Sequence, residues 1–220
     1  MKYYKINYIR IFETKEEVIG HANGEFVPNG KEYFDRIGKR EIINNAPVFD
    51  YFHLQSHGPK EEWEWRLQDV HGFIDVGSII TGWYISDDFK ILLENFKIAP
   101  FYHFYETRLL YKGNKLKYWI FQFPINPLQN YDYEKSEYFL ENERVMGLKT
   151  AEEYDDYDYT IWKKTKKNIA WRKTVLVDPF DFVINMNGDK IVSENLKNAI
   201  EAMNLEGLEF SELDYVVVVE

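Results

Sequence analysis

The chain contains no cysteine, which removes disulfide frameworks, thiolate zinc sites and thiol catalysis together. Positive charge is scarce as well: 27 lysines and arginines stand against 37 aspartates and glutamates, a formal net charge of −10. Proteins that hold DNA or RNA need a basic surface to neutralise phosphates, so nucleic acid is not expected as a partner. An acidic balance suits a protein that docks on a basic partner. No apolar run approaches the roughly 20 residues that span a bilayer. The opening MKYYKINYIR lacks the apolar core of a signal peptide, so no membrane partner is expected and the cytoplasm is the expected compartment. The G-x-S-x-G elbow, the P-loop and G-x-G-x-x-G are all missing, and Ser78 in VGSII follows a glycine without forming an elbow. No motif calls for a cofactor.

Aromatic residues, in contrast, are abundant. Tyr, Phe and Trp make up 18% of the 220 residues, with 17 Tyr, 16 Phe and 6 Trp, and such residues favour strands and interfaces. The length suffices for a substantial core in one α+β unit spanning 1–220. The least ambiguous stretch is Ile191–Phe210, IVSENLKNAIEAMNLEGLEF. Ser193 stands at an N-cap position, Glu194 meets the positive end of the helix dipole, and Leu196, Ala199, Ile200 and Met203 trace one apolar face. Gly207 is placed to close the helix in the left-handed conformation. The same phrase occurs in Tyr84–Phe101, where Ser86 matches Ser193, Lys90 matches Lys197 and Glu94 matches Glu201. Two principal capped helices are therefore expected, over 86–97 and 193–204. Their echo raises the expectation of two related sub-lobes, 1–127 and 128–220.

Around the helices the sequence reads mainly as antiparallel sheet. Strands are expected over Lys2–Phe12, Val48–Gln55, Phe101–Tyr111, Leu116–Phe123, Ile169–Val177 and Phe180–Met186, with Tyr215–Val219 a buried last strand if a sheet covers it. Lys112-Gly113-Asn114-Lys115 and Asn187-Gly188 are hairpin turns. A short helix fits within Lys31–Asn45. Trp63, Trp65 and Leu67 alternate with Glu64, Arg66 and Gln68, the pattern of a half-buried strand. Glu141–Thr160 reads as the least structured part, and the tract near Tyr154 as the seam between lobes.

Four constellations could carry chemistry. His53 and His57 are four apart in HLQSH, with His71 and Glu61, Glu62 or Glu64 as further ligands; but Leu54 replaces the zinc-protease glutamate and Gly58-Pro59 opposes a helix, so no metal site is expected. Asp87-Asp88, Glu152-Glu153 and Asp155-Asp156 are paired carboxylates of the kind a glycosidase uses. Asp87-Asp88 is already explained by the first turn of a helix, and no catalytic residue is expected. The nucleophile motifs are missing. What is left is a surface for a protein partner: Glu152, Glu153, Tyr154, Asp155, Asp156, Tyr157, Asp158 and Tyr159 combine acids with rings suited to an interface. Trp63, Trp65 and Trp83 read as core.

The segments YDYEKSEYF (Tyr131–Phe139) and VLVDPFDFVINMNGDKIVSENLKNAIEAMNLEGLEFSEL (Val175–Leu213) resemble the bacterial immunity proteins of polymorphic toxin systems, in particular the myxobacterial-type immunity family, formerly a domain of unknown function. The resemblance lies in Asp132 and Ser136, in the helix start Ile191–Lys197, in Gly207–Phe210, and upstream in GWYISDDFKILLENFKIAPFYHF. It implies a non-enzymatic protein that binds and neutralises a cognate toxin. Two other functions stay open: a hydrolase with a carboxylate or histidine site in a cleft, and a carbohydrate- or peptide-binding module using exposed tryptophans. Sequence gives no oligomeric state.

Overall fold

The structure, a computed structural model, describes residues 1–9, 20–64, 66–124, 127–185 and 187–219. In chain order its elements are β1 (Tyr3–Tyr8), β2 (His21–Asn23), α1 (Gly30–Gly38), β3 (Phe49–Gln55), β4 (Val70–His71), β5 (Gly82–Ser86), α2 (Asp87–Leu93), β6 (His103–Tyr111), β7 (Asn114–Gln122), β8 (Glu137–Leu140), β9 (Glu143–Val145), α3 (Ala151–Thr165), β10 (Ala170–Leu176), β11 (Phe182–Ile184), β12 (Lys190–Ser193), α4 (Glu194–Ala202), β13 (Leu208–Ser211) and β14 (Val216–Val219). The fold is α+β. The strands form three sheets, ordered β4-β5-β7-β6-β3-β2, β11-β12-β1-β13 and β14-β10-β8-β9. Among the described residues only β3–β6 and β10–β14 pair in parallel; the other strand pairings are antiparallel, as expected from the hairpin signals.

The echo between the two helices extends far beyond their sequences. The order β4-β5-β7-β6 around α2 repeats as β11-β12-β1-β13 around α4. Ser86 caps α2 by accepting from Phe89 N at 3.2 Å and donates to Asp69 Oδ1 at 2.7 Å. Ser193 caps α4 by accepting from Leu196 N at 3.2 Å and donates to Asp181 Oδ1 at 2.6 Å. Opposite each serine in the sheet lies a tyrosine, Tyr118 or Tyr3, whose hydroxyl donates to the carbonyl of Gln68 or Phe180. The pairs Lys90–Glu94 and Lys197–Glu201 repeat at 2.6 Å.

The two units also clasp each other reciprocally. Asp69 Oδ2 accepts the backbone N–H of Glu206, beyond α4, and Asp181 Oδ2 accepts that of Lys97, beyond α2. The backbones return the bond, Asp69 N to Glu206 O and Asp181 N to Lys97 O. Trp83, Phe89 and Phe121 from one unit and Ile6, Phe182 and Leu196 from the other share one buried cluster. Since β1 supplies the central strand of the second unit, the sheets do not divide the chain at residue 127.

Several local expectations need correction. Helix α2 stops at Leu93 and α4 at Ala202, short of 97 and 204. Asn204, at φ 52, turns the chain out of α4; Gly207, at φ 94, serves a tight crossing instead, since a Cβ there would lie 2.5 Å from the Val70 carbonyl oxygen. Met203 is largely exposed rather than on the apolar face. Among the described residues of Trp63–Asp69 no strand forms: Pro59 leads into a single 3₁₀ turn at Lys60–Glu62, and Gln68 N donates to His71 Nε2. Trp65 lies outside the described residues, as do Arg10–Phe12 of the expected first strand and Met186. β14 is an edge strand with Val216 60% exposed, not a covered one. Largest of all, the acidic stretch expected to lack structure is α3, the longest of the described helices.

Candidate functional site

Helix α3 is started by chemistry written in Lys149–Glu153. Thr150 Oγ1 accepts from Glu153 N at 3.2 Å, while Glu153 Oε2 accepts from Thr150 N at 3.3 Å and from Lys149 N at 2.7 Å. This reciprocal box satisfies donors that a helix start leaves unpaired. Five acids fill the first half of the helix and lysines its end, the sense the helix dipole favours. Lys166, at φ 61, ends it. Asp158 then ties the following loop back, accepting from Asn168 Nδ2 at 2.9 Å and Ile169 N at 2.8 Å.

Tyr154 fixes the helix to the sheet. It is buried, 5% exposed, among Tyr133, Tyr138 and Trp171, and its hydroxyl accepts from Trp171 Nε1 at 2.9 Å. Burial pushes its phenol pKa well up. Tyr154 is therefore a core residue, not a contact for a partner. Glu153 is engaged in the cap, Asp158 in the loop, and Tyr157 is half-buried.

The remaining four of the eight expected residues, Glu152, Asp155, Asp156 and Tyr159, are exposed. Asp155, Tyr159 and Trp162 recur at spacings of four and three, which sets them on one side of the helix. Tyr159 is 60% and Trp162 42% exposed, with ring centroids 6.4 Å apart and planes at 24°. Lys166 Nζ lies 4.1 Å from the Trp162 centroid. The acidic and aromatic tract visible in the sequence ends at Tyr159 and so omits Trp162, although spacing from Asp155 points to it. The face is thus acidic at one end, aromatic in the middle and basic at the other, rather than wholly anionic.

His53 lies in β3 and His57 in the bend after it; among the described residues no group of three or more histidine or carboxylate side chains is placed to hold a metal ion. His71 is fully buried, its Nδ1 donating to Gly20 O at 2.7 Å while Nε2 accepts from Gln68 N. Burial lowers its pKa from 6.5 to about 4, so it is a neutral structural residue. Asp87 is held by Trp119 Nε1 at 2.7 Å and Lys117 at 3.1 Å. Trp83 is core, as expected, and Trp63 is half-buried. It borders a cavity of about 520 Å³ beside β3, which also takes in Phe26, Tyr51 and His53; nothing in the spacing of these residues announces that grouping.

Among the described residues no helix is long and apolar enough to cross a membrane. Neither a known protein family nor a curated protein matches this chain in sequence.

Proposed function

We propose that this chain is a binding protein that neutralises a cognate protein toxin by covering it, and that the exposed side of α3 is the contact. One observation carries the assignment of the face: Tyr159 and Trp162 stand stacked and open to solvent on a helix whose one buried residue, Tyr154, is held by Trp171. Tyrosine and tryptophan dominate the energetics of protein interfaces, and a preordered ring loses little freedom on docking. Asp155 and Asp156 beside them supply charge that speeds approach to a basic partner, and the lysines at the far end set its orientation. Identification of the partner as a toxin rests on the resemblance carried by Asp132, Ser136 and the segments around the two capped helices.

The test is co-expression with the toxin domain encoded by the gene immediately upstream. The expected result is protection of growth and a one-to-one complex by light scattering. Tyr159→Ala with Trp162→Ala is expected to weaken that complex by roughly 30-fold or more. Asp155→Asn with Asp156→Asn slows association several-fold at low salt and little at high salt. No complex, or full affinity in the double ring variant, overturns the proposal.

A further inference from the structure

We infer that the cavity beside β3 is a binding site for an organic cation: an alkylammonium or guanidinium group on an apolar stem. Its wall is a run of rings. Tyr51 and Phe26 lie 5.4 Å apart between centroids, Phe26 and His53 5.1 Å, and His53 and Trp63 5.9 Å with planes only 28° apart. Phe26 is 52% exposed, so a large part of its ring has no protein covering it. The volume of about 520 Å³ is in the range of small-ligand sites.

Charge then selects the ligand. Glu25, Glu61 and Glu64 line the same cavity, against a single ammonium, that of Lys60. Three carboxylates around aromatic faces repel an anion and attract a cation, which the ring quadrupoles also favour. The protein's own lysines show the preference. Lys60 Nζ stands 6.0 Å from the Trp63 centroid, at the limit of such contacts, and Lys115, paired with Asp50, lies 5.3 Å from that of Tyr51. Phe26 and Trp63 are the rings left for a ligand, with Lys60 on a flexible stem as the group to displace.

His53 is the second, independent sign of a ligand. It is 9% exposed, and neither ring nitrogen has a hydrogen-bond partner; the nearest carboxylate oxygen, Glu25 Oε1, is 3.4 Å from Nε2. Both nitrogens are covered, and buried polar groups are as a rule satisfied, so an unpartnered imidazole in the cavity wall points to a ligand there. Burial lowers its pKa against the pull of Glu25 and Glu64, which favours the neutral ring and lessens repulsion of a cation. The cavity lies on the β2–β3 side and is unconnected with the α3 reading, which can fail without it.

The full chain is titrated with choline, with 3,3-dimethylbutan-1-ol (its uncharged isostere) and with butylguanidinium, following the Trp63 indole and His53 ring signals by NMR. The expected result is saturable shifts with both cations and at least about five-fold weaker binding of the isostere. Phe26→Ala, at an exposed ring that should leave the fold intact, weakens binding several-fold, and Lys60→Met tightens it. An acetylated Gly-Arg-Gly amide that binds more tightly than butylguanidinium assigns the cation to a protein side chain; equal or weaker binding assigns it to a free small molecule. Isostere binding equal to that of choline, no saturable shift with either cation, or full affinity in Phe26→Ala overturns the inference.

Discussion

The unit around α2 and the unit around α4 reach the same arrangement from different stretches of chain. The first is continuous from Gln68 to Gln122. The second takes its central strand, β1, from the opposite end of the sequence. They differ in surroundings too: β6 at the edge of the first is covered by β3 and β2, whereas β13 ends its sheet. The comparison separates two levels of specification. A serine after an apolar strand builds the same helix cap twice, using only a backbone N–H three residues on. The sheet then needs a strand between β12 and β13, and any segment with the right alternation and a tyrosine in register can fill it.

The severest way to break this comparison is to excise residues 1–8. Hydrogen exchange should then show protection lost throughout β11, β12, α4 and β13, with much of it retained in β5 and β7. A synthetic peptide of residues 1–9 added in trans should restore it. An unchanged melting temperature after excision would show that β1 is dispensable. Next in size are Asp69→Ala and Asp181→Ala. Each removes the carboxylate acceptor of a serine hydroxyl and a backbone N–H, at a cost of about 3 kcal/mol by urea denaturation. If the clasp is reciprocal, the two costs agree to within about 1 kcal/mol; a wide gap would make the resemblance one of shape alone.

The smallest effect sharpens a difference. His71 of the first unit occupies the register position held by Val183 in the second. Its folded-state pKa of about 4 lies below the ordinary 6.5, so the unfolded chain takes up the proton first. Its contribution is full above pH 6.5 and is lost as pH falls towards 4, amounting to about 2 kcal/mol between pH 7 and pH 5. His71→Val, which copies the second unit, should flatten that slope in denaturation measured across the same range. A slope that persists in this variant assigns the acid sensitivity elsewhere.

Capped corners, hairpins and the fold class were legible because their signals are local: Ser86, Ser193 and Lys112-Gly113 need only adjacent residues to act. The pairing of β1 was not, since no local pattern in YYKINY says which strands will flank it. α3 was misread for a different reason. Its apolar positions are filled by Tyr154, Tyr157 and Ile161 among acids, so charge hid a helical spacing that Thr150-x-x-Glu153 announced. Trp63 and Gln68 misled in the opposite sense, alternating like a strand in a segment whose backbone turns to meet His71. Of the candidate face, Asp155, Asp156 and Tyr159 could be named from sequence. That Tyr154 points inward could not, because its partner Trp171 is brought near only by the sheet.

The distant origin of β1 also bears on how the protein is made. Tyr4 and Glu194, hydrogen-bonded at the start of α4, lie 190 positions apart. At ribosomal speeds of about 5–20 residues per second, the earliest strand waits roughly 10–40 s for its neighbours to be synthesised. Throughout that interval β1 lacks both strands it later pairs with, while the α2 corner and its sheet can already close. Biogenesis is therefore ordered, and β1 is where a chaperone would have most to protect.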